Sequence, residues 1–304
     1  MDIGVLMLFQ NHPNLPMADY DMYKQELGVC ERAEPLGFDS IWAVEHHFTD
    51  YTLCPNPIEM LTYLAGMTDK IKLGTGAIIL PWHKDPLRVA TDISMLDNLS
   101  DRRLLLGIGR GIGRVEYDGF GVDMNQSRGI FEESSQMILD MLETGKAEEH
   151  EGEHFKQIAR DIRPAPLPPY LDRTYVTCQS PETAEIVARL GLGMMVFAIS
   201  PWKSRAEDCR VYREAFLKHQ GREAPPVVAN VFVMVDEDGD RARELAEKYM
   251  TDYWISALAH YEMDGTHFTD VKGYEFYAKS AGMMRDRSAE SMGNLYVDNQ
   301  IFGT

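Results

Sequence analysis

Apolar runs and helical spacings take turns along this chain. Ile3–Phe9 (IGVLMLF) is a compact apolar run and predicts the first strand. Asp19–Gly37 carries Tyr23, Leu27, Cys30, Ala33 and Leu36 at helical spacing and ends in a C-capping glycine. Ser40–Val44 predicts a second strand, which breaks into Glu45-His46-His47-Phe48. Asn56–Thr68 reads as a helix with Asn56 as its cap and Pro57 at its first position. Ile71–Leu80 is a third strand stopped by Pro81, and Pro86–Leu99 a helix with Val89, Ile93, Leu96 and Leu99 on one side.

The fourth strand, Leu104–Ile108, runs into a backbone in which Gly107, Gly109, Gly111 and Gly113 alternate with Ile108, Arg110 and Ile112. A helix over Ser127–Glu143 follows. Gly145–Pro169, ending in Pro164, Pro166, Pro168 and Pro169, reads as an excursion and predicts a hairpin. Strand and helix then resume. Thr174–Cys178 is followed by Pro181–Leu190, Met194–Ile199 by Lys203–Gln220, and Val227–Val235 by a helix from Asp238.

Seven alternations of continuous apolar strands with helices predict an α/β fold, a parallel TIM (β/α)8-type barrel, with residues 1–304 as one domain. The stretch 264–299 is polar and dotted with glycine, and Ile301–Thr304 follows it. The expectation is that the eighth β/α unit is absent from this chain.

Hydrophobic residues make up 44% of the 304 and charged residues 26%, an ordinary globular mixture. The formal charge of −18 argues against nucleic acid or an anionic membrane as partner, since phosphate neutralisation needs a basic face. An anionic ligand would have to be held by local arginines. No window approaches the ~18 apolar residues of a membrane span, and no basic head opens the chain. Cys30, Cys54, Cys178 and Cys209 are widely spaced, which suggests neither a zinc site nor a disulfide frame and points to a cytoplasmic protein.

In such a barrel the loops after the strand carboxyl ends carry the chemistry. Glu45-His46-His47, Pro81-Trp82-His83, Gly109–Gly113 and Gln179-Ser180 all fall there. The glycine loop is either a tight strand-to-helix connection with a surface arginine or an anion clamp built on Arg110. It matches neither the dinucleotide fingerprint nor the P-loop: counted from Gly107, Gly109 or Gly111 as the first position, the sixth position is Ile112, Arg114 or Glu116 and never glycine, and no Gly-Lys-Ser/Thr occurs. Ser180 and Pro181 suit a helix start, and the Ser180 and Thr183 hydroxyls with exposed N–H groups could seat an anion. A histidine of the Glu45-His46-His47 run could serve as acid, base or charge stabiliser, or simply satisfy a core hydrogen bond. His150-Glu151-Gly152-Glu153-His154 formally fits His-Glu-x-x-His. Gly152 at its centre and turn-like flanks argue for a hairpin, so no metal is expected. Trp82, Trp202, Phe48, Tyr51 and Phe197 are candidates for an apolar pocket or for ordinary core.

Taken together, several stretches in consistent order from residue 1 to about 235 resemble the bacterial luciferase-like flavin monooxygenases, most closely their luciferase alpha-subunit branch. They are Gly37-Phe38-Asp39, Glu45-His46-His47-Phe48-Thr49, Gly74–Pro81, Gly107-Ile108-Gly109-Arg110-Gly111, Phe120–Arg128, and Ser180 with Thr183. The resemblance implies a barrel, usually dimeric, that binds reduced FMN at its strand carboxyl ends. It implies Arg110, Arg128, Ser180 and Thr183 as flavin-phosphate contacts, with Gln179 beside them and Glu45 in the cofactor site. It implies Gly76-Ala77 as a non-proline cis peptide against the ring, His46 as the catalytic residue and Val196–Ser200 in the ring pocket. It makes 264–299 a mobile lid.

The implied reaction is oxygenation of a small organic substrate by O2 through a C4a-peroxyflavin. With no nicotinamide motif, a separate flavin reductase would supply reduced FMN to what the family suggests is a homodimer. The chain departs from the family at Arg102-Arg103, at Gly109 and in a longer Pro81–Pro86 loop, so light emission is not implied. Two rival readings stay open: a deazaflavin (F420) hydride-transfer enzyme of the same superfamily, and a non-catalytic flavin-binding partner subunit.

Overall fold

The computed structural model describes residues 1–12, 14–179, 181–285 and 289–304. They fall into two compact units. One comprises Met1–Asn11, Met17–Gly111 and Glu116–Thr177, the other His12–Pro16, Ile112–Val115 and Cys178–Thr304.

The first unit is built on β1 (Gly4–Met7), β2 (Ser40–Ala43), β3 (Lys72–Thr75), β4 (Ile78–Ile79), β5 (Leu104–Gly109) and the strand Thr174–Thr177. All pair in parallel, in the order β1, β2, β3, β5, Thr174–Thr177, with β4 also on β5. Ile41, Leu73, Leu106 and Ile108 are buried, as strands covered on both faces require. The third predicted strand is interrupted. A cis peptide joins Gly76 to Ala77, and the chain re-enters the sheet two residues later as β4. Gly74 is glycine because the Trp42 ring lies on it: a Cβ there would meet Trp42 Cδ2 at 2.2 Å.

Helix ends follow local chemistry. Asn56 Oδ1 accepts the Glu59 N–H at 3.0 Å ahead of Pro57–Ala65, and Asp85 caps Pro86–Leu99 through Leu87 and Arg88. Ser127–Thr144 stops at Gly145, whose φ of 74° is left-handed. At the amino ends of β5 and Thr174–Thr177, Asp97 is fully buried and takes both Arg173 terminal nitrogens, at 2.7 and 2.6 Å, and the Tyr170 hydroxyl at 2.8 Å.

The excursion is a nested antiparallel ribbon, Lys146–Ala147 on Arg160–Asp161 and His150–Glu151 on Lys156–Gln157. His150 Nε2 lies 2.9 Å from Glu133 Oε1, so the His-Glu-Gly-Glu-His run sits on a ribbon rather than a helix.

In the second unit Gly193–Phe197 pairs in parallel with Val228–Asn230, and Val233–Val235 with Ile301–Gly303. The run Val227–Val235 therefore splits in two. The Phe232 N–H donates to Gln300 Oε1 at 2.9 Å, and Gln300 Nε2 donates to the Ala198 carbonyl at 2.7 Å. Ile301–Gly303, which follows the 264–299 stretch, thus pairs with a strand of this unit.

The 264–299 stretch is largely helical where described, with Glu275–Arg285 and Ala289–Val297. Buried Phe268, Tyr274 and Tyr277 pack on one another, and Trp254 stacks on Tyr296 at 4.6 Å. Among the described residues, no helix is long and apolar enough to cross a membrane.

Candidate active site

The candidate chemistry of the first unit gathers where β2, β3, β4 and β5 end. After β2 the chain passes through buried Val44 to Glu45, whose carboxylate is almost fully enclosed. Its Oε2 accepts the Ile79 N–H at 2.8 Å; its Oε1 lies 3.2 Å from His47 Nε2 and 3.1 Å from His83 Nε2. Burial works against the Glu45 charge, but the two imidazoles and the Ile79 N–H overcome it and hold the carboxyl below its usual range. Burial likewise opposes a charge on His83, and the bond to Glu45 reverses that, raising its affinity for a proton.

The neighbouring histidine answers to a different carboxylate. Glu116, fully buried in the short helix Arg114–Phe120, places Oε1 3.1 Å from His46 Nδ1 and accepts the His47 N–H at 2.9 Å. A carboxylate only accepts, so the proton of the first contact sits on Nδ1 and the acceptor nitrogen of His46 is Nε2. Aromatic edges surround the pair: Tyr51 lies 5.0 Å from His46, and Trp82 and Phe120 lie 5.4 and 4.7 Å from His47.

Gly76 and Ala77 join β3 to β4. The Gly76 N–H donates to the Ala43 carbonyl at 2.7 Å, and Thr75 Oγ1 bonds both the N–H and the carbonyl of Gly107, each at 2.7 Å. The glycine loop leaves β5 past Ile79 and Trp82. Gly111 has φ +80°, and a Cβ there would meet Ile79 Cγ2 at 2.7 Å and the Trp82 ring at 3.2 Å. Arg110 is half-buried and its carbonyl accepts the Tyr117 hydroxyl; Arg128 is half-buried in the first turn of Ser127–Thr144.

Glu45, His46, Gly76, Ala77, Arg110 and Arg128 therefore all belong to the first unit. Gln179 and Thr183 belong to the second, at the start of Pro181–Arg189, and Ser180 lies outside the described residues. Gln179 has both side-chain polar atoms buried without a hydrogen-bond partner among the described residues. Such an amide fits a bound group that offers both acceptors and donors, as a flavin phosphate and its ribityl hydroxyls do. Of the aromatic candidates, Trp82 and Tyr51 are buried beside the histidines, whereas Phe48 and Trp202 are exposed and Phe197 is half-buried.

Sequence reasoning missed Glu116 and the helix that carries it. The available signal was Tyr117 and Phe120 at helical spacing behind the glycines, masked by their conformational freedom.

The sequence profile described as luciferase-like monooxygenase matches residues 1–297. An alkanal monooxygenase alpha chain of Photorhabdus luminescens is 31% identical over 288 residues, which are 94% of this chain and 78% of that one. Among solved structures, a type II Baeyer-Villiger monooxygenase from Pseudomonas putida, the oxygenating constituent of 3,6-diketocamphane monooxygenase in complex with FMN, superposes with a TM-score of 0.75. It is 19% identical, with 100% of this chain and 84% of that one covered. An F420-dependent secondary alcohol dehydrogenase in complex with an F420-acetone adduct reaches 0.72 at 16% identity, covering 99% and 85%. The fold is the mixed α/β barrel read from the sequence. By the match across almost its whole length, the chain belongs to the luciferase-like monooxygenase family.

Proposed function

We propose that this chain is a flavin-dependent monooxygenase that takes reduced FMN from a separate reductase and uses O2 to oxygenate a small organic substrate. The observation that carries the reading is the His46–Glu116 pair, at 3.1 Å, in a chain of this family. Arg110, Arg128, Ser180 and Thr183 hold the flavin phosphate, with Gln179 beside them, and the Gly76-Ala77 backbone lies against the ring. When bound, reduced FMN supplies the electrons that activate O2.

The chain's own residues do the rest. Glu116 keeps the proton of His46 on Nδ1, so Nε2 accepts or returns a proton at the reacting face. Tyr51 and Trp82 keep water from the histidines, and the 264–299 segment serves as a lid, since stray water diverts activated oxygen to peroxide. The working form is a homodimer.

The test is to load the protein with reduced FMN without oxygen, admit O2, and follow the return of oxidised-flavin absorbance. Return several-fold slower than for free reduced FMN supports the reading; return at the free rate refutes it. A second reading, F420-dependent hydride transfer, is favoured by the fold shared with the alcohol dehydrogenase. Oxygen-independent reduction of F420 by an alcohol, with no binding of reduced FMN, would establish it instead.

A further inference from the structure

Three donors from three different stretches converge on one buried carboxylate. Ile79 N–H comes from β4, His47 from the segment after β2, and His83 from the turn that follows Leu80–Trp82. Because a carboxylate has only acceptor sites, each imidazole in contact with it presents Nε2–H. The His47 ring is thereby fixed with its hydrogen on Nε2, and its rotation is blocked by Trp82 and Phe120. Leaving such a carboxylate without a cation in a dry site is costly, and His83, whose side chain is 34% exposed against 12% for His47, is where solvent can deliver the balancing proton.

We propose that Glu45 is the positioning residue of this site: paired with His83, it sets the tautomer and orientation of His47 and ties the turn behind Gly76-Ala77 to the end of β2. Both Glu45 oxygens are taken by protein donors, so Glu45 serves a bound cofactor through its neighbours. The titratable groups facing the cluster are consistent with one shared positive charge. Asp92, from Pro86–Leu99, adds to the pull of Glu45 on the His83 proton. Glu116 holds the His47 backbone, and the buried Cys54 thiol, pushed up to about 12 chiefly by burial, stays neutral. The consequence for catalysis rests on the flavin reading above; the first readout below does not.

The experiment is ring-15N histidine NMR on the full chain between about pH 6 and about pH 9, with hydrogen exchange at the Ile79 amide. In the unaltered protein the neutral His47 ring carries its hydrogen on Nε2, and His83 titrates above its ordinary value of about 6.5. Glu45→Gln converts neutral His47 to a tautomer mixture, lowers the His83 midpoint and speeds Ile79 exchange at least ~10-fold. Glu45→Asp restores part of each. His83→Gln keeps His47 in its single form, because the bond to Glu45 survives.

An unchanged His47 tautomer and His83 midpoint in Glu45→Gln overturn the proposal. Should that variant not fold, a His83 midpoint at or below about 6.5 in the unaltered protein, or loss of the single His47 form in His83→Gln, overturns it equally. A changed tautomer in a chain whose unaltered form does not bind reduced FMN supports the positioning role and counts against the flavin reading instead.

Discussion

Asp97→Asn tests a buried polar cluster of the first unit. Asp97 is fully buried and the Arg173 side chain 13% exposed, so little solvent screens their two bonds of 2.6 and 2.7 Å. Burial, and after it the Asp97 charge, push the Tyr170 phenol above its usual range, so its hydroxyl remains a donor to the carboxylate. The remaining Arg173 bonds go to the carbonyls of Leu104, Leu167 and Pro169, which tie the proline-rich segment to β5. An asparagine keeps the shape but removes the charge and turns one acceptor into a donor that faces a guanidinium. Breaking a buried pair from one side costs about 3–5 kcal/mol. For 304 residues unfolding together, the unfolding entropy is roughly 0.6 kcal/mol per kelvin, so the midpoint falls by about 5–8 °C. If the first unit unfolds separately, the smaller entropy makes the shift larger. The assay is reversible thermal unfolding by circular dichroism, together with a double-mutant cycle of Asp97→Asn and Arg173→Met. A coupling above about 1.5 kcal/mol is expected. A shift below about 1 °C, or strict additivity, would show that the carbonyl bonds alone hold this corner.

Arg110→Ala removes a charged donor from the proposed phosphate seat and is expected to weaken FMN binding by about 1.5–3 kcal/mol, or roughly 10- to 150-fold, in a flavin-fluorescence titration. A change under about twofold sinks that assignment. His46→Ala should leave FMN affinity within a few-fold and cut product formation per reduced flavin by about 100-fold or more; undiminished coupling removes His46 from the chemistry. Gly111→Ala puts a Cβ 2.7 Å from Ile79 at φ +80° and should cost about 1–3 kcal/mol in urea unfolding. The pH dependence has two signs. The raised His83 contributes stability that is complete below its unfolded value near 6.5 and is lost as pH climbs through its folded one. The lowered Glu45 contributes stability present above about 4.3 and lost as pH falls through its folded value. His83→Gln should abolish the alkaline loss in unfolding midpoints measured across pH, and an unchanged curve refutes that source.

The barrel alternation was legible because buried parallel strands write themselves as uninterrupted apolar runs, and Ser40–Ala43, Leu104–Gly109 and Gly193–Phe197 obey that rule. Interruptions were not legible. The break between β3 and β4 comes from a backbone bend among residues that are apolar on either side. The break at Val231-Phe232 comes from a bond to Gln300, 68 residues away in sequence. The 264–299 stretch reads as polar loop because its apolar contacts are aromatic and sparse, yet Phe268, Tyr274 and Tyr277 bury one another and helices form around them. Arg110 and Glu45-His46-His47 could be found from composition and position in the barrel. Glu116 could not, because what marks it is a partner 70 positions earlier.

That distant partner explains how one loop can carry two adjacent histidines with different carboxylate partners. Consecutive side chains after a strand diverge, so a single carboxylate cannot orient both rings from one side. Here Glu116 takes the Nδ1 face of His46 and Glu45 the Nε2 edge of His47, and the His47 N–H bonds back to Glu116. The two rings are thereby held in opposite tautomeric forms: His46 keeps its acceptor on Nε2 and His47 keeps its donor there. Two buried carboxylates on separate elements thus give each ring its own acceptor. A site held by only one of them would leave one histidine free to flip. The fold therefore brings Arg114–Phe120 against the end of β2, and the glycines of the intervening loop let so short a helix pack that closely.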